Sequence, residues 1–185
     1  MEDIEITEEE MELLTAPVFL KGEDAFRAMA IERVEKEWNK ITSQFEDSRL
    51  AEELHHNTDL HKAIWEASTV ILPKLEVQVV IDAENKIFVS TGSAGYVDFN
   101  INPIRKGMKV PVKCWIHTHP FGSAYFSGTD IRTVRTWEPL MQTAYVLGGE
   151  EHYGFWSNDK PNQLDIFIEN EFTRTQEWKK LGEEE

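Results

Sequence analysis

The sequence predicts an α/β fold, a mixed central β-sheet flanked by helices, with a helical extension at the N-terminus. Three observations support this fold class. Apolar residues recur at helical spacing through residues 26–71, apolar runs bounded by turn residues follow from residue 75, and one such run leads directly into a helix start. The 185 residues suit one domain and an extension. We therefore divide the chain into an acidic tail with a helical extension, residues 1–57, and a main domain, residues 58–185.

Composition narrows the partners that the protein can have. The net charge of −15 argues against nucleic acid, because binding a phosphate backbone requires a basic face, and it disfavours an anionic membrane surface. The N-terminus lacks the basic and apolar regions of a signal peptide, and no run is long enough to span a bilayer. The single cysteine, Cys114, cannot form an internal disulfide, which favours a reducing compartment. We expect a cytoplasmic protein with Cys114 buried, and we leave its oligomeric state open.

The extension and the start of the main domain are predicted to be helical. The first helix starts near Glu23, a short second pattern covers residues 50–54, and a third helix is capped by Asn57 or Thr58 and ends before Pro73. One face of the first helix carries Phe26, Ala30, Val34, Trp38, Ile41 and Phe45. One face of the third carries Leu60, Ala63, Ile64, Ala67, Val70 and Ile71. Such faces usually pack into a core. The polar side of this region carries three histidines that we expect to be solvated, His55, His56 and His61.

The remaining elements are mostly strands, each an apolar or alternating run bounded by turn residues. They cover residues 75–81, 87–91, 96–102, 110–116, 142–147, 153–156 and 163–168. The first two are joined by a turn at residues 82–86 and are expected to pair as a hairpin. A closing helix is predicted over residues 172–181.

The chain is organised around a stretch that holds two histidines, a serine and an aspartate. His117 and His119 follow the buried strand at residues 110–116, and residues two apart on a strand point to the same face, so both imidazoles can reach one point. Ser127 precedes Asp130 by the spacing of a capping box, which predicts a helix start with Asp130 in its first turn. Two imidazoles and one carboxylate that converge from a strand end and a helix start can hold a divalent metal ion.

Zinc is the metal that this ligand set favours, with a fourth position open for water. Ferrous iron uses the same ligand types, so ligand identity alone leaves the metal open. In the alternative interpretation these residues bind no metal. His117 and His119 are then strand histidines with ordinary hydrogen-bond partners, and Ser127 and Asp130 only cap a helix. Trp115, next to the histidines in sequence, is assigned to packing on the opposite face of the strand.

The spacing His-x-His-x7-Ser-x2-Asp resembles the signature of the JAMM/MPN-plus zinc metalloproteases, and Trp-Ile-His-Thr-His-Pro at residues 115–120 is similar to the AMSH-type deubiquitinases among them. The resemblance covers about residues 58–170. It implies a JAMM/MPN fold, which is cytidine-deaminase-like, with one Zn²⁺ per chain held by His117, His119 and Asp130. It also implies that Ser127 hydrogen-bonds the substrate carbonyl and its oxyanion, and that a glutamate on the first strand acts as general base.

Glu76 is the residue that the resemblance assigns as the general base. It stands at the start of the first strand, directly after a helix, as the family's glutamate does. The sequence departs from the family's pattern at Gln78 and Ile81, where small residues are often found. Glu66, on a helix, and Glu84, in a turn, are the rivals, and both are more easily explained as solvated carboxylates.

The activity that the resemblance implies is zinc-dependent hydrolysis of an amide bond at the C-terminal tail of ubiquitin or a ubiquitin-like modifier. Glu76 would accept the proton of the attacking water and pass it to the leaving amine. The implied partners are conjugates of ubiquitin or of a ubiquitin-like protein. Two other functions stay open, namely hydrolysis of another peptide or a small amide by the same site, and a non-catalytic MPN scaffold.

Overall fold

The structure, a computed structural model, describes residues 18–46, 48–92, 103–149, 152–159, 164–168 and 179–180. Within this part of the chain the fold is α/β, with a mixed β-sheet flanked by helices, as the sequence predicts. None of the helices there combines the length and the apolar character that crossing a membrane requires.

The helices of the described residues lie mostly before the sheet. They are α1 (Val18–Ser43), α2 (Ser48–Ala51), α3 (Thr58–Glu66) and α4 (Gly128–Trp137). A 3₁₀ turn, Leu54–His56, precedes α3, a π-helical turn, Ala67–Ile71, continues it, and a 3₁₀ turn, Glu138–Leu140, follows α4. Helix α1 starts at Val18 rather than near Glu23. The predicted cap of α3 is confirmed, because the Asn57 side chain accepts hydrogen bonds from two N–H groups of its first turn.

The strands form one sheet in the part of the chain that the structure describes. They are β1 (Val77–Ile81), β2 (Ile87–Thr91), β3 (Val112–His119), β4 (Met141–Gly148), β5 (His152–Ser157), β6 (Leu164–Ile168) and β7 (Lys179–Lys180). Their order is β2-β1-β3-β4-β5-β6-β7. Among these pairs only β3–β4 is parallel, and α4 makes the crossover that a parallel pair requires. The end of β3 is thereby joined to the start of α4.

Two sequence predictions fall on residues that the structure leaves undescribed. The strand at residues 96–102 lies outside the described residues. Most of the predicted closing helix, residues 172–181, also lies outside the described residues. The part of it that is described, Lys179–Lys180, is a strand, so the prediction of a helix is wrong there.

Apolar clusters cover both faces of the sheet in the described residues. On one face α1, α3 and the π-helical turn pack on alternate residues of the strands, and the buried part of α1 is Ala30, Val34, Trp38 and Ile41. Phe26 and Phe45, at the ends of that predicted stripe, are 49% and 37% exposed, and Val70 of the π-helical turn is 74% exposed. On the other face the cluster includes Val80, Trp115, Phe126 and Val134, which brings α4 onto the sheet. The helices thus form a layer on each face.

The prediction that the three histidines near α3 are solvated was wrong for two of them. His55 and His61 are buried, and their rings pack against the ring of Tyr145. The ring of His56, which is exposed at the residue level, contacts the Tyr145 hydroxyl through Nδ1. The 3₁₀ turn explains the error for His55, because it follows a tighter period than the α-helix and turns Leu54 and His55 inward together. His61 belongs to the buried face of α3 itself, next to Leu60.

Candidate metal centre

Strand β3 carries both histidines to its C-terminal end. It lies between β1 and β4, so its backbone is hydrogen-bonded on both sides. His117 pairs with Gln78 of β1 and Val146 of β4, and His119 pairs with Gly148 of β4. The two side chains point to one face, as the sequence predicts, and they are 6% and 14% exposed.

Helix α4 brings the carboxylate to the same point through a capping box. Ser127 is the N-cap, and its backbone N–H donates to Asp130 Oδ2 at 2.7 Å. The backbone N–H of Asp130 donates in return to Ser127 Oγ at 3.2 Å. The predicted capping box is therefore confirmed, and it fixes the rotamer of a carboxylate that is 5% exposed.

The three side chains converge on one point. His117 Nε2 lies 3.1 Å from Asp130 Oδ1, and His119 Nε2 lies 3.3 Å from Asp130 Oδ2. One ligand atom from each residue lies within 4.8 Å of the others. Although the His117 contact is short, it does not have the geometry of an aligned hydrogen bond. This buried group can hold a metal ion, and its two nitrogen donors and one oxygen donor fit either zinc or ferrous iron.

The charges around the group favour a bound cation. Burial raises the pKa of Asp130, but its contacts with His117, His119 and Ser127 outweigh burial and hold that pKa well below its usual range, so the carboxylate is ionised. Burial lowers the pKa of His119, but Asp130 and the charge of Glu76 outweigh it and raise that pKa. Two carboxylates therefore concentrate negative potential where the ligand atoms meet.

Glu76 lies beside His119, one residue before β1. In the antiparallel β1–β3 pair Gln78 stands opposite His117, so the same register brings Glu76 opposite His119. The residue is half-buried, and its carbonyl accepts a hydrogen bond from the Gly92 N–H at 2.8 Å. A carboxylate thus stands next to the three ligands without being one of the converging group.

The rival glutamates lie elsewhere. Glu66 is at the end of α3, where its carboxylate pairs with Arg33 of α1 at 3.1 Å. Glu84 is exposed in the turn between β1 and β2, at the opposite end of β1 from Glu76. Of the three glutamates considered, Glu76 is the one whose charge acts on a histidine of the site.

A buried hydroxyl pair holds the start of β1 against β3. Thr118 Oγ1 accepts a hydrogen bond from the Val77 N–H at 2.9 Å and lies 2.8 Å from Ser68 Oγ. Ser68, in the π-helical turn, also donates to the Leu75 carbonyl at 2.5 Å. These bonds fix the backbone on both sides of Glu76. Sequence reasoning missed them, because Ser68 and Thr118 are 50 residues apart and no motif joins them.

Trp115 is not on the opposite face, and that prediction was wrong. Its ring stacks on the His117 ring, with centroids 4.4 Å apart and planes 14° apart. Side chains two residues apart on a strand point to the same face, so Trp115 lies on the same face of β3 as His117 and His119. On the other side of the site, the Ser123 carbonyl lies 3.4 Å from His119 Nδ1, and no side-chain pattern predicts such a backbone contact.

Cys114 is buried, as the sequence predicts. It points away from the site into the cluster under α1 and α3, and burial raises the pKa of its thiol. The thiol is therefore protonated and lies apart from the candidate metal site.

No protein-family model, curated protein or solved structure matches this chain.

Proposed function

We propose that the protein is a zinc-dependent hydrolase of the JAMM/MPN-plus type that cleaves an amide bond at the C-terminal tail of ubiquitin or a ubiquitin-like modifier. One observation carries the proposal: the five residues of the motif, which come from three places in the chain, lie together. Three of them, His117, His119 and Asp130, offer converging ligand atoms. Ser127 caps the helix that carries the third ligand, and Glu76 stands beside the second.

The roles follow from what each side chain can donate or accept. A bound zinc ion would supply Lewis acidity, which polarises a carbonyl and makes water acidic enough to act near neutral pH. The Glu76 carboxylate accepts the proton of the attacking water and returns it to the leaving amine. The register of β1 and β3 places Glu76 beside His119, where such a base would act.

Ser127 has capacity left for the substrate. Its Oγ uses one lone pair to accept the Asp130 N–H, and its O–H, which hydrogen-bonds the Asp130 carboxylate, can turn to donate to a substrate instead. A donor at this position can stabilise negative charge on the carbonyl oxygen of an amide held next to the ligands. The same hydroxyl therefore serves the helix cap and the oxyanion.

Aromatic surface lies at the edge of the site, where a peptide tail would enter. Phe121 is 80% exposed and lies under the Lys74 ammonium, which is 5.5 Å from the ring centroid. Tyr125 is 48% exposed, and its ring meets the His119 ring edge-on at 5.5 Å. Exposed rings next to the ligands can hold an extended, flexible segment.

The test is cleavage of ubiquitin and ubiquitin-like fusions and isopeptide conjugates by the zinc-loaded protein. Glu76→Gln should keep its zinc and lose about 10²- to 10⁴-fold in kcat, because it removes a general base and leaves the ligands in place. Glu84→Gln, a matched change in the β1–β2 turn, should leave kcat unaltered. Cleavage of short peptides without a response to the ubiquitin fold would point to another peptide or amide substrate. A zinc-loaded protein that binds conjugates and cleaves none would be a scaffold.

A further inference from the structure

The two ring nitrogens of His117 have different surroundings. Nε2 lies 3.1 Å from Asp130 Oδ1, while Nδ1 is buried and has no hydrogen-bond partner in the described residues. His119 differs, because its Nδ1 lies 3.4 Å from the Ser123 carbonyl. A metal-bound imidazole almost always donates its second N–H to an oxygen, which sets the tautomer and the direction of the ring. His117 therefore requires an oxygen near Nδ1.

Gln78 places such an oxygen beside it. Gln78 and His117 are directly opposite each other in the antiparallel β1–β3 pair, so their side chains leave the sheet on the same face with neighbouring Cβ atoms. Gln78 is 2% exposed, and its Oε1 is buried without a hydrogen-bond partner in the described residues. A buried acceptor that stays unpaired destabilises the fold. A buried acceptor without a donor thus stands next to a buried donor without an acceptor.

Stacking alone cannot orient the His117 ring. Trp115 lies parallel to it at 4.4 Å, which fixes the plane of the imidazole. A half-turn about the Cβ–Cγ bond keeps that plane and exchanges the positions of the two edges of the ring. A hydrogen bond to one nitrogen breaks this degeneracy, because only one orientation then satisfies both the metal and the acceptor.

We propose that Gln78 is a positioning residue of the metal centre: its Oε1 accepts a hydrogen bond from His117 Nδ1–H, directly or through one water, and so holds Nε2 toward the metal. The proposal rests on the proposed function only in requiring a metal at this site. A rotation of the Gln78 side chain or a single bridging water closes the pair and satisfies both buried atoms. The site thereby gains a second oriented histidine to match His119.

The first test is zinc affinity, measured by competition with a chelator for the wild type, Gln78→Met and Gln78→Glu. Methionine keeps the shape and removes the acceptor, so its zinc dissociation constant should rise about 10- to 100-fold. Glutamate restores an acceptor and should bind zinc more tightly than the methionine variant. Val79→Ala, a core change on the opposite face of β1, should lower the melting temperature and leave the zinc affinity within about two-fold.

The second test is the ¹⁵N spectrum of the histidine side chains in the zinc-loaded protein. His117 should show Nε2 as the metal-bound nitrogen and a protonated Nδ1 that exchanges slowly with water, and the exchange should accelerate in Gln78→Met. Because the wild type suffices to identify the bound nitrogen, this test holds even where a variant does not fold.

The outcomes separate the two claims. Zinc binding that is equal in the wild type and folded Gln78→Met, or His117 bound through Nδ1, overturns the role of Gln78 and leaves the hydrolase proposal standing. A wild type that binds no zinc overturns both.

Discussion

At the scale of residues, Ser127 and Asp130 each belong to the fold and to the site. The bond from the Ser127 N–H to the Asp130 carboxylate closes the start of α4 and also aims a ligand atom at the two histidines. A change at either residue therefore alters the stability of the helix and the chemistry of the site together. Separating the two effects requires a second helix cap that has no part in the site.

Asn57 provides that cap. Its side chain accepts from the Asp59 N–H at 2.9 Å and the Leu60 N–H at 3.1 Å, at the start of α3. We expect Ser127→Ala and Asn57→Ala to lower the free energy of unfolding by similar amounts, about 1 kcal/mol. Only Ser127→Ala should also lower kcat, by about 10²- to 10³-fold, because it removes a donor to the oxyanion. Urea unfolding and turnover on the same samples measure both, and equal kcat values in the two variants would refute the second role of Ser127.

The convergence of the candidate site could be predicted from the sequence because fixed spacing encodes its geometry. An i, i+2 pair on a strand and an i, i+3 pair at a helix start leave little freedom, so the approach of His117, His119 and Asp130 and the cap at Ser127 could be predicted before the structure. Gln78 could not be assigned a role in this way. Its oxygen meets His117 only through the register of two strands that lie far apart in sequence.

At the scale of elements, the segment between β3 and α4 lies directly on β4. A Cβ built on Gly148 would lie 2.4 Å from the Ser123 backbone carbon and 2.5 Å from the Ala124 nitrogen. Glycine at this position therefore permits the close approach that also brings the Ser123 carbonyl to His119.

Replacing that glycine should move the segment away from the site. We expect Gly148→Ala to lower the free energy of unfolding by about 1–3 kcal/mol, as overpacking does, and to weaken zinc binding as well. The matched control is Gly128→Ala, where an added Cβ meets nothing within 4 Å and the residue starts a helix. Thermal unfolding and chelator competition check the pair. A Gly148→Ala variant that is destabilised but binds zinc normally would show that the position of this segment does not affect the site.

The elements that could be predicted are those with a local signal. The hairpin β1–β2, strand β3 and the start of α4 follow from alternation, turn residues and a capping box. The π-helical turn and the 3₁₀ turns have no comparable pattern, since each is too short to establish a period of its own. His55, which the sequence predicts to be solvated, lies in one of these turns.

At the scale of the whole molecule, a cluster of histidines joins the helical layer to the sheet. His55 and His61 come from the helical layer, and Tyr145 comes from β4. His61 Nε2 lies 2.9 Å from the His55 carbonyl, whereas neither ring nitrogen of His55 has a hydrogen-bond partner in the described residues. Burial, followed by the charges of His56, His61 and Lys113, lowers the pKa of His55 to about 3, and burial lowers the pKa of His61 to about 4.

These pKa values predict loss of stability in mild acid. Both pKa values lie below the ordinary 6.5 of a histidine. As the pH falls below 6.5, these histidines therefore bind protons in the unfolded chain but stay neutral in the folded chain, which favours unfolding. Each histidine then removes about 1.4 kcal/mol of stability per pH unit until its folded pKa is reached. His55→Phe should therefore unfold at a higher urea concentration than the wild type at pH 5, with a smaller difference at pH 7. If the urea midpoints of the two proteins changed with pH in parallel, His55 would not be buried as a neutral ring.

The fold class could be predicted from the sequence, while the arrangement of layers could not. The order of helices and strands already indicates a mixed α/β sheet. The parallel β3–β4 pair and the assignment of each helix to a face depend on contacts between distant segments, such as Trp38 Nε1 donating to the Asn85 carbonyl at 2.9 Å. These contacts leave no periodic trace in the sequence.

The most direct test of the central claim is the metal content of the purified protein, measured beside that of His117→Ala/His119→Ala. The account predicts one zinc ion per wild-type chain and none in the double variant, because the variant retains a single carboxylate of the group. A wild type that takes up no metal after incubation with zinc would contradict the assignment of His117, His119 and Asp130 as ligands, and the proposed hydrolase with it.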